Sequence, residues 1–232
     1  MHPLALAVWL NGKARNLAIR IRGVHPKHFL PDEDYWYVRY LAPHHRVLDV
    51  GCGTGMHSLR AGRHAFVVIG FDKTPTWVHG LMLDAEGGVW PWENATFDRV
   101  LCLDLLEHVH DRRHVLSEIR RVLAPEGQLL LAVPNSETSW KHRLARAGRS
   151  PFSDPDHKVE YDPPALRAEL RSLFTIEARL PGVVDVGPLV GLIDVFGALC
   201  PPFYRLSIKV RHWLAERYPR EDTAFNVVCR PV

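Results

Sequence analysis

Residues Val47 to Gly55 read VLDVGCGTG. An apolar run enters Asp49, and Gly51, Gly53 and Gly55 follow at alternate positions before a helical pattern. Glycines so placed let the chain turn tightly and let its backbone approach a ligand closely. A strand, glycine loop and helix in this order put that ligand beyond the carboxyl end of the strand. Spacing narrows the ligand. A dinucleotide fingerprint would need glycine at the position of Met56, and a phosphate-binding loop would need a G-K-[ST] run that is absent. The bland alternative is a glycine-rich turn that holds nothing.

Around this loop, short apolar runs alternate with helical patterns. Strands are expected at Arg46–Val50, Phe66–Asp72, Leu81–Asp84, Phe97–Leu103, Gln128–Val133, Phe174–Leu180 and Ala224–Cys229. Helices are expected at Thr54–Arg63, Asp111–Leu123 and Asp162–Leu173. In the second, Asp111 caps the start and Val115, Ile119, Val122 and Leu123 form a stripe ended by Pro125 and Gly127. The alternation predicts an α/β fold: a doubly wound, mostly parallel sheet with helices on both faces.

Composition adds exclusions. The 232 residues are 47% hydrophobic and 24% charged, as in an ordinary globular chain. A net charge of +3 is too small to imply a nucleic-acid partner. Cys52, Cys102, Cys200 and Cys229 form no C-x-x-C pair and read as reduced thiols of a cytoplasmic protein. The apolar run Leu4–Leu10 lacks a preceding basic region and a clear cleavage site, so no signal peptide is expected. No stretch approaches the ~20 apolar residues of a membrane-spanning helix. Fourteen histidines are the unusual count, and their placement has to be followed.

The glycine loop, the order of elements and the acidic residues after the strands resemble the Rossmann-like, class I S-adenosylmethionine-dependent methyltransferases. The resemblance spans about Arg46–Leu180 and Thr223–Arg230. It implies a seven-stranded sheet whose last strand is antiparallel, and S-adenosylmethionine as cofactor. Asp49 and Gly51, Cys52, Gly53 and Gly55 match the loop under the methionine moiety. Asp72, ending the second strand, matches the carboxylate that accepts from both ribose hydroxyls, and Lys73 follows it. Such a carboxylate can take two charge-assisted bonds from a vicinal diol. Asp84 and Ala85 match the residues near the adenine, and Leu103 ends the fourth strand beside the same pocket. One departure stands out: only Lys73–Gly80 separates strands two and three, where relatives carry a fuller helix.

Methyl transfer from a sulfonium needs alignment and exclusion of water more than covalent chemistry. A hydroxyl acceptor also needs a base or a metal. Asp104, Glu107 and His108 share one face if a helix starts there, and His157 lies in DHKVEYDPPAL before the next helix. The pattern is similar to ubiquinone-biosynthesis O-methyltransferases and to small-RNA ribose methyltransferases, where such a set holds a divalent metal. Here Asp104 replaces the usual first glutamate. A metal, a metal-free histidine base, and a merely structural role for Glu107 and His108 all stay open, with no metal favoured.

The expected organisation is an N-terminal helical cover, 1–45, and a methyltransferase domain, 46–232. The latter includes a basic cap segment, 136–157, and an apolar insertion, 183–219. Lys141, His142, Arg143, Arg146 and Arg149 would grip an anionic acceptor or lipid headgroup, or form a solvated helix face, the simpler reading. Within the insertion, 183–210 is apolar and aromatic. It would pack as ordinary covering helices, close over the acceptor as a lid, form a homodimer surface, or rest on a bilayer as a peripheral contact. The leading functional expectation is methyl transfer to a small-molecule or lipid-linked acceptor at oxygen. A nucleic-acid acceptor is disfavoured. A nicotinamide oxidoreductase and a non-catalytic binding protein are the competing classes.

Overall fold

The computed structural model describes residues 3–23, 25–185 and 190–232, with side chains from Leu10 onward. Residues 186–189 of the apolar insertion lie outside the described residues, as do the side chains of most of the Leu4–Leu10 run. The strands are β1 Arg46–Val50, β2 Val67–Asp72, β3 Leu81–Met82, β4 Phe97–Leu103, β5 Leu123–Pro134, β6 Phe174–Leu180 and β7 Ala224–Pro231. The helices are α1 Pro3–Arg22, α2 Met56–Ala61, α3 Arg112–Val122, α4 Ser139–Arg146, α5 Pro163–Leu170, α6 Val190–Leu199 and α7 Pro201–Arg217. By compactness the chain divides into two units.

The first unit, residues 36–136, 152–180 and 224–232, holds the whole sheet. Its strand order is β3-β2-β1-β4-β5-β7-β6. The first five of these pair in parallel, and β7 runs antiparallel to both β5 and β6. β1 has neighbours on both sides and its Val47, Leu48 and Val50 are fully buried, so its apolar run is nearly continuous. The chain leaves β1 toward β2 and β3, then returns to β4 on the other side. That reversal opens a crevice beyond the carboxyl ends of β1 and β4.

α3 closes the sheet as its sequence requires. Asp111 caps it by accepting from the His114 N–H at 2.9 Å, and Val115, Leu116, Ile119 and Val122 are buried. Each such side chain contributes about 1.5–3 kcal/mol. Phe71, Trp90, Trp92 and Phe97 stack edge-on or tilted beside it. Leu123 turns extended and opens β5, so the strand starts five residues before its expected first residue. The register jumps from Phe97↔Leu123 to Arg99↔Gln128, which leaves Ala124–Gly127 as a bulge.

Other boundaries also differ. β3 is only Leu81–Met82: the Leu83 N–H still donates to the Asp72 carbonyl, and the Asp84 carboxylate then turns the chain by accepting from the Glu86 N–H. α2 starts at Met56, after left-handed Gly55, and stops at Ala61. Residues 36–45, expected in the N-terminal cover, belong to the sheet unit: Tyr37 Oη lies 2.9 Å from His57 Nδ1, and Arg99 Nε donates to the Tyr40 carbonyl.

The second unit, residues 1–35, 137–151 and 181–223, is helical. α1 and α6 meet closely: a Cβ on Gly191 would lie 2.7 Å from Ala14 Cβ and 3.0 Å from Asn11. α6 and α7 meet at Gly197, whose missing side chain makes room for Tyr204. Charges lie inside. Asp194 bonds His25 Nε2 at 3.2 Å, and Arg211 donates to the Val184 carbonyl and to Asp185 at 2.9 Å. Lys141, expected on a solvated face, is buried, while Arg143, Arg146 and Arg149 are exposed. No helix among the described residues is long and apolar enough to cross a membrane.

Candidate active site

The glycine loop is fastened from below and closed from the side. The Gly51 and Cys52 N–H groups both donate to the Phe71 carbonyl, at 2.8 and 2.9 Å, which ties the loop to β2. The Gly53 N–H donates to Asp72 Oδ2 at 3.0 Å, and the Thr74 N–H donates to Asp72 Oδ1 at 2.8 Å. The Thr76 N–H returns to the Gly53 carbonyl at 3.1 Å. Asp72 therefore sits against the loop with both oxygens anchored, each with lone-pair capacity left for a further donor.

Two of the glycines have opposite surroundings. Gly55, at φ +72°, leaves room for an indole: a Cβ there would lie 2.2 Å from the Trp77 ring. Gly53, at φ +49°, would place a Cβ with no atom within 4 Å. So Gly55 serves packing and Gly53 presents bare backbone to whatever approaches. Trp77 also reaches Gly70 of β2, a Cβ there falling 3.0 Å from the ring. Residues 73–80 form no helix, and this indole covers the strand where relatives of the resembled family place one.

Asp49 ends up buried beneath the loop, accepting from Ser58 Oγ at 2.5 Å. Burial raises its pKa to about 6. The Asp72 charge adds to the rise and the Ser58 hydrogen bond opposes it. Cys52 is also buried, and burial with the nearby Asp49 pushes its thiol up to about 12, which keeps it unreactive.

Lys73 and Asp84 were both expected at the cofactor, and they meet each other: Nζ lies 2.8 Å from Oδ2. The hydrogen bond from Lys73 is the main cause that lowers the Asp84 carboxyl below the usual range. Ala85 is buried and its carbonyl accepts from Trp90 Nε1. Leu103 ends β4, paired in register with Ala132.

The expected helix through Asp104, Glu107 and His108 does not exist. Residues 104–110 are turns, and α3 begins only at Arg112. Asp104 takes φ +55°, its N–H donates to the Ala132 carbonyl, and it is exposed. Asp104 is thus not in the cluster that the turn does build. Glu107, His108 and His157 bring one ligand atom each within 4.8 Å of one another. The Lys158 N–H donates to the Glu107 carbonyl at 2.7 Å and clamps the two segments together. The His108 and His157 rings meet edge-on at 4.7 Å, and His157 Nε2 is 3.9 Å from Glu107 Oε1. The turn also leans on the loop, since Leu105 fills the space beside Gly51.

Three partners escaped the sequence reading. Ser58 lies one helical turn into α2, where its hydroxyl reaches back to Asp49. Trp77 lies in the short connection Lys73–Gly80, and glycine inside β2 is the signal that something bulky covers the strand. Glu160 stands three residues after His157, and its Oε1 accepts from His157 Nδ1 at 2.8 Å and from the Ser153 N–H and Oγ at 2.7 Å.

A sheet in this order, with an antiparallel β7 and the glycine loop and carboxylate at its switch point, defines the Rossmann-like methyltransferase class. The sequence pattern of the methyltransferase domain matches residues 26–188, and the chain belongs to that family. It is 33% identical over 103 residues to a ubiquinone biosynthesis O-methyltransferase of Xanthomonas oryzae, covering 39% of this chain and 43% of that protein. The chain thus matches less than half the length of this curated relative. A SAM-dependent methyltransferase from Archaeoglobus fulgidus superposes with a TM-score of 0.56 at 17% identity, covering 84% of this chain and 89% of the other. The Burkholderia thailandensis 1,6-didemethyltoxoflavin-N1-methyltransferase, solved with S-adenosylhomocysteine, superposes with a TM-score of 0.53 at 16% identity, over 88% and 78%. These likenesses share the fold.

Proposed function

We propose that the protein transfers a methyl group from S-adenosylmethionine to a small or lipid-linked acceptor, at oxygen. The observation that carries this reading is Asp72 anchored to bare Gly53 on the loop after β1, while the Glu107–His108–His157 cluster follows the neighbouring strand β4. In this reading the Gly53 backbone lies against the methionine moiety. Asp72 accepts from the ribose hydroxyls, and ionised Asp49 supplies negative charge toward the ammonium. Asp84, Lys73 and Ala85 line the adenine side, with Cys52 and Leu103 as apolar contacts. The fold family and the O-methyltransferase likeness support the donor and the acceptor atom.

The acceptor would dock against the histidines. Glu160 takes the proton-bearing Nδ1 of His157, so the Nε2 of the neutral ring carries the lone pair. That atom can accept the hydroxyl proton as the methyl is displaced in line from sulfur. The carbon–sulfur bond breaks as the carbon–oxygen bond forms, and S-adenosylhomocysteine leaves neutral.

A second reading rests on the same cluster. A carboxylate and two imidazoles within 4.8 Å are a fitting donor set for a divalent cation. Held by Glu107, His108 and His157, it would lower the pKa of a bound hydroxyl. A nicotinamide oxidoreductase is opposed by Met56 where the fingerprint needs glycine. Labelled S-adenosylmethionine supplied to cell extract, followed by fractionation into lipid, RNA and small-molecule pools, tests the reading. Label in the lipid or small-molecule pool is expected, and a chelator distinguishes the metal from the histidine base. Label confined to RNA, or no transfer at all, would overturn it.

A further inference from the structure

Two helices of the helical unit each bury a charged side chain and expose a stripe of large apolar ones. On the inner face of α7 lie Tyr204, Ile208, Arg211 and Ala215, and Arg211 is only 6% exposed. On the opposite face Phe203, Leu206, Val210 and Trp213 recur at helical spacing, with Leu206 62% and Trp213 60% exposed. α6 repeats the inversion. Asp194 is 3% exposed against His25, while Leu192, Phe196 and Leu199 face out. The two stripes are continuous, because the Phe196 and Phe203 rings meet at 6.2 Å. Beyond the apolar residues they bury, the two helices thus leave a continuous apolar stripe uncovered, and a face of this kind is adapted to an apolar surrounding.

Charge identifies the occupant. Residues 1–35, 137–151 and 181–223 hold 14 Lys and Arg against 9 Asp and Glu, while the rest of the chain holds 15 against 17. Exposed Lys209 lies beside Val210 at the edge of the stripe. On α1, which packs on α6, exposed Leu10, Leu17 and Ile21 share a face with exposed Lys13 and Arg20. Lysine and arginine stems can lie along an apolar surface while their heads stay in a polar layer. Tryptophan favours the same boundary between headgroup and acyl chain. A second copy would instead bring Lys209 of one chain into the neighbourhood of the same basic face of the other, and lysine is depleted at interface cores.

We infer that the outward face of α6 and α7, flanked by the basic residues of α1, docks on the surface of an anionic lipid bilayer. The apolar stripe enters the acyl boundary, and Lys13, Arg20 and Lys209 meet the phosphates. A contact made by a shallow apolar stripe and a few basic side chains is reversible and salt-sensitive. This deepens the reading of a lipid-linked acceptor under Proposed function, but it stands on the surface of this unit and not on the cofactor site.

Co-sedimentation of the full chain with vesicles tests it. Phosphatidylcholine vesicles containing about a third phosphatidylglycerol should carry the protein down at low salt, and phosphatidylcholine alone should do so much less. The double variant Leu206→Glu/Val210→Glu should bind at least about tenfold more weakly, with an unchanged melting temperature and S-adenosylmethionine affinity, since both positions are exposed. Acyl chains brominated near the headgroup should quench Trp213, and the quenching should diminish in Trp213→Phe. A wild type that stays in the supernatant, a double variant that binds equally, or quenching untouched by Trp213→Phe would overturn the assignment. So would a dimer in sedimentation equilibrium that the double variant abolishes, which would give the face to a second copy. Because cofactor affinity is measured on the same variants, failure of the docking surface is distinguishable from failure of the methyl-transfer reading.

Discussion

Glu160 holds His157: Oε1 lies 2.8 Å from Nδ1, with both side chains nearly buried and the Ser153 N–H and hydroxyl steadying the same oxygen. This fixes the ring so that Nε2 faces Glu107 and His108. Replacing Glu160 by Gln keeps the shape and removes the carboxylate that orients the ring. Turnover should fall by about 10–100-fold, with the KM for S-adenosylmethionine unchanged. Steady-state kinetics on the acceptor recovered from labelled extract checks this, and a KM change without a kcat change would assign Glu160 to cofactor binding instead.

Gly53 and Gly55 should respond differently to the same substitution. Gly55→Ala drives a methyl group into the Trp77 ring and should destabilise the fold by about 2–4 kcal/mol in urea unfolding. Trp77→Ala should relieve part of that cost in the double variant, giving a clearly non-additive cycle. Gly53→Ala meets no atom and should cost about 1 kcal/mol, from its left-handed backbone, while cofactor affinity falls much further. Equal stability losses at the two positions would contradict the packing described.

Asp72→Asn should weaken S-adenosylmethionine by about 10–100-fold, because a hydrogen bond to a charged group is lost at the ribose. Asp84→Asn should do less, since its carboxylate is already paired with Lys73 near the surface. Isothermal titration of both variants checks the order, and a larger loss at Asp84 would reverse the assignment.

With Asp49 facing the cofactor ammonium as proposed, binding is predicted to depend on pH. The Asp49 pKa near 6 in the free protein lies above the ordinary carboxylate value because burial disfavours the charge. A cationic ammonium favours the ionised form, so affinity should weaken below about pH 6, by up to about tenfold per unit, and Asp49→Asn should flatten that slope. The sign for folding is opposite. A raised folded value means that Asp49's contribution to stability is fully present below the unfolded value near pH 4 and is lost as pH rises through about 6. Titrations and melts across about pH 5 to 8 on wild type and Asp49→Asn separate the two effects.

The parts that were legible in the sequence were those dictated by burial and glycine. β1, β4 and β6 start and end where expected, and Asp111 caps α3 by accepting the His114 N–H; the helix expected from Asp162 to Leu173 is shorter, Pro163–Leu170, with Asp162 as its cap. Asp49, Gly53 and Asp72 converge because a parallel sheet brings the carboxyl ends of neighbouring strands together. The turn at Asp104 was not legible. Three- and four-residue spacing fits a helix, but here a left-handed residue and the Leu105 contact with Gly51 bend the chain, and only tertiary packing decides that. Glu160 was equally hidden, since its role depends on the fold of residues 153–160 around His157. The inverted face of α7 could not be seen either, because apolar spacing alone does not say which face is buried.

Everything proposed for this chain depends on Gly53 and Asp72 forming a working S-adenosylmethionine site. Isothermal titration of the intact chain with S-adenosylmethionine tests it most directly. Saturable one-site binding is expected, with a rise in melting temperature with the ligand and loss of both in Gly53→Ala and Asp72→Asn variants that remain folded. No heat of binding and no thermal shift in the wild type, or binding undiminished in both variants, would contradict it.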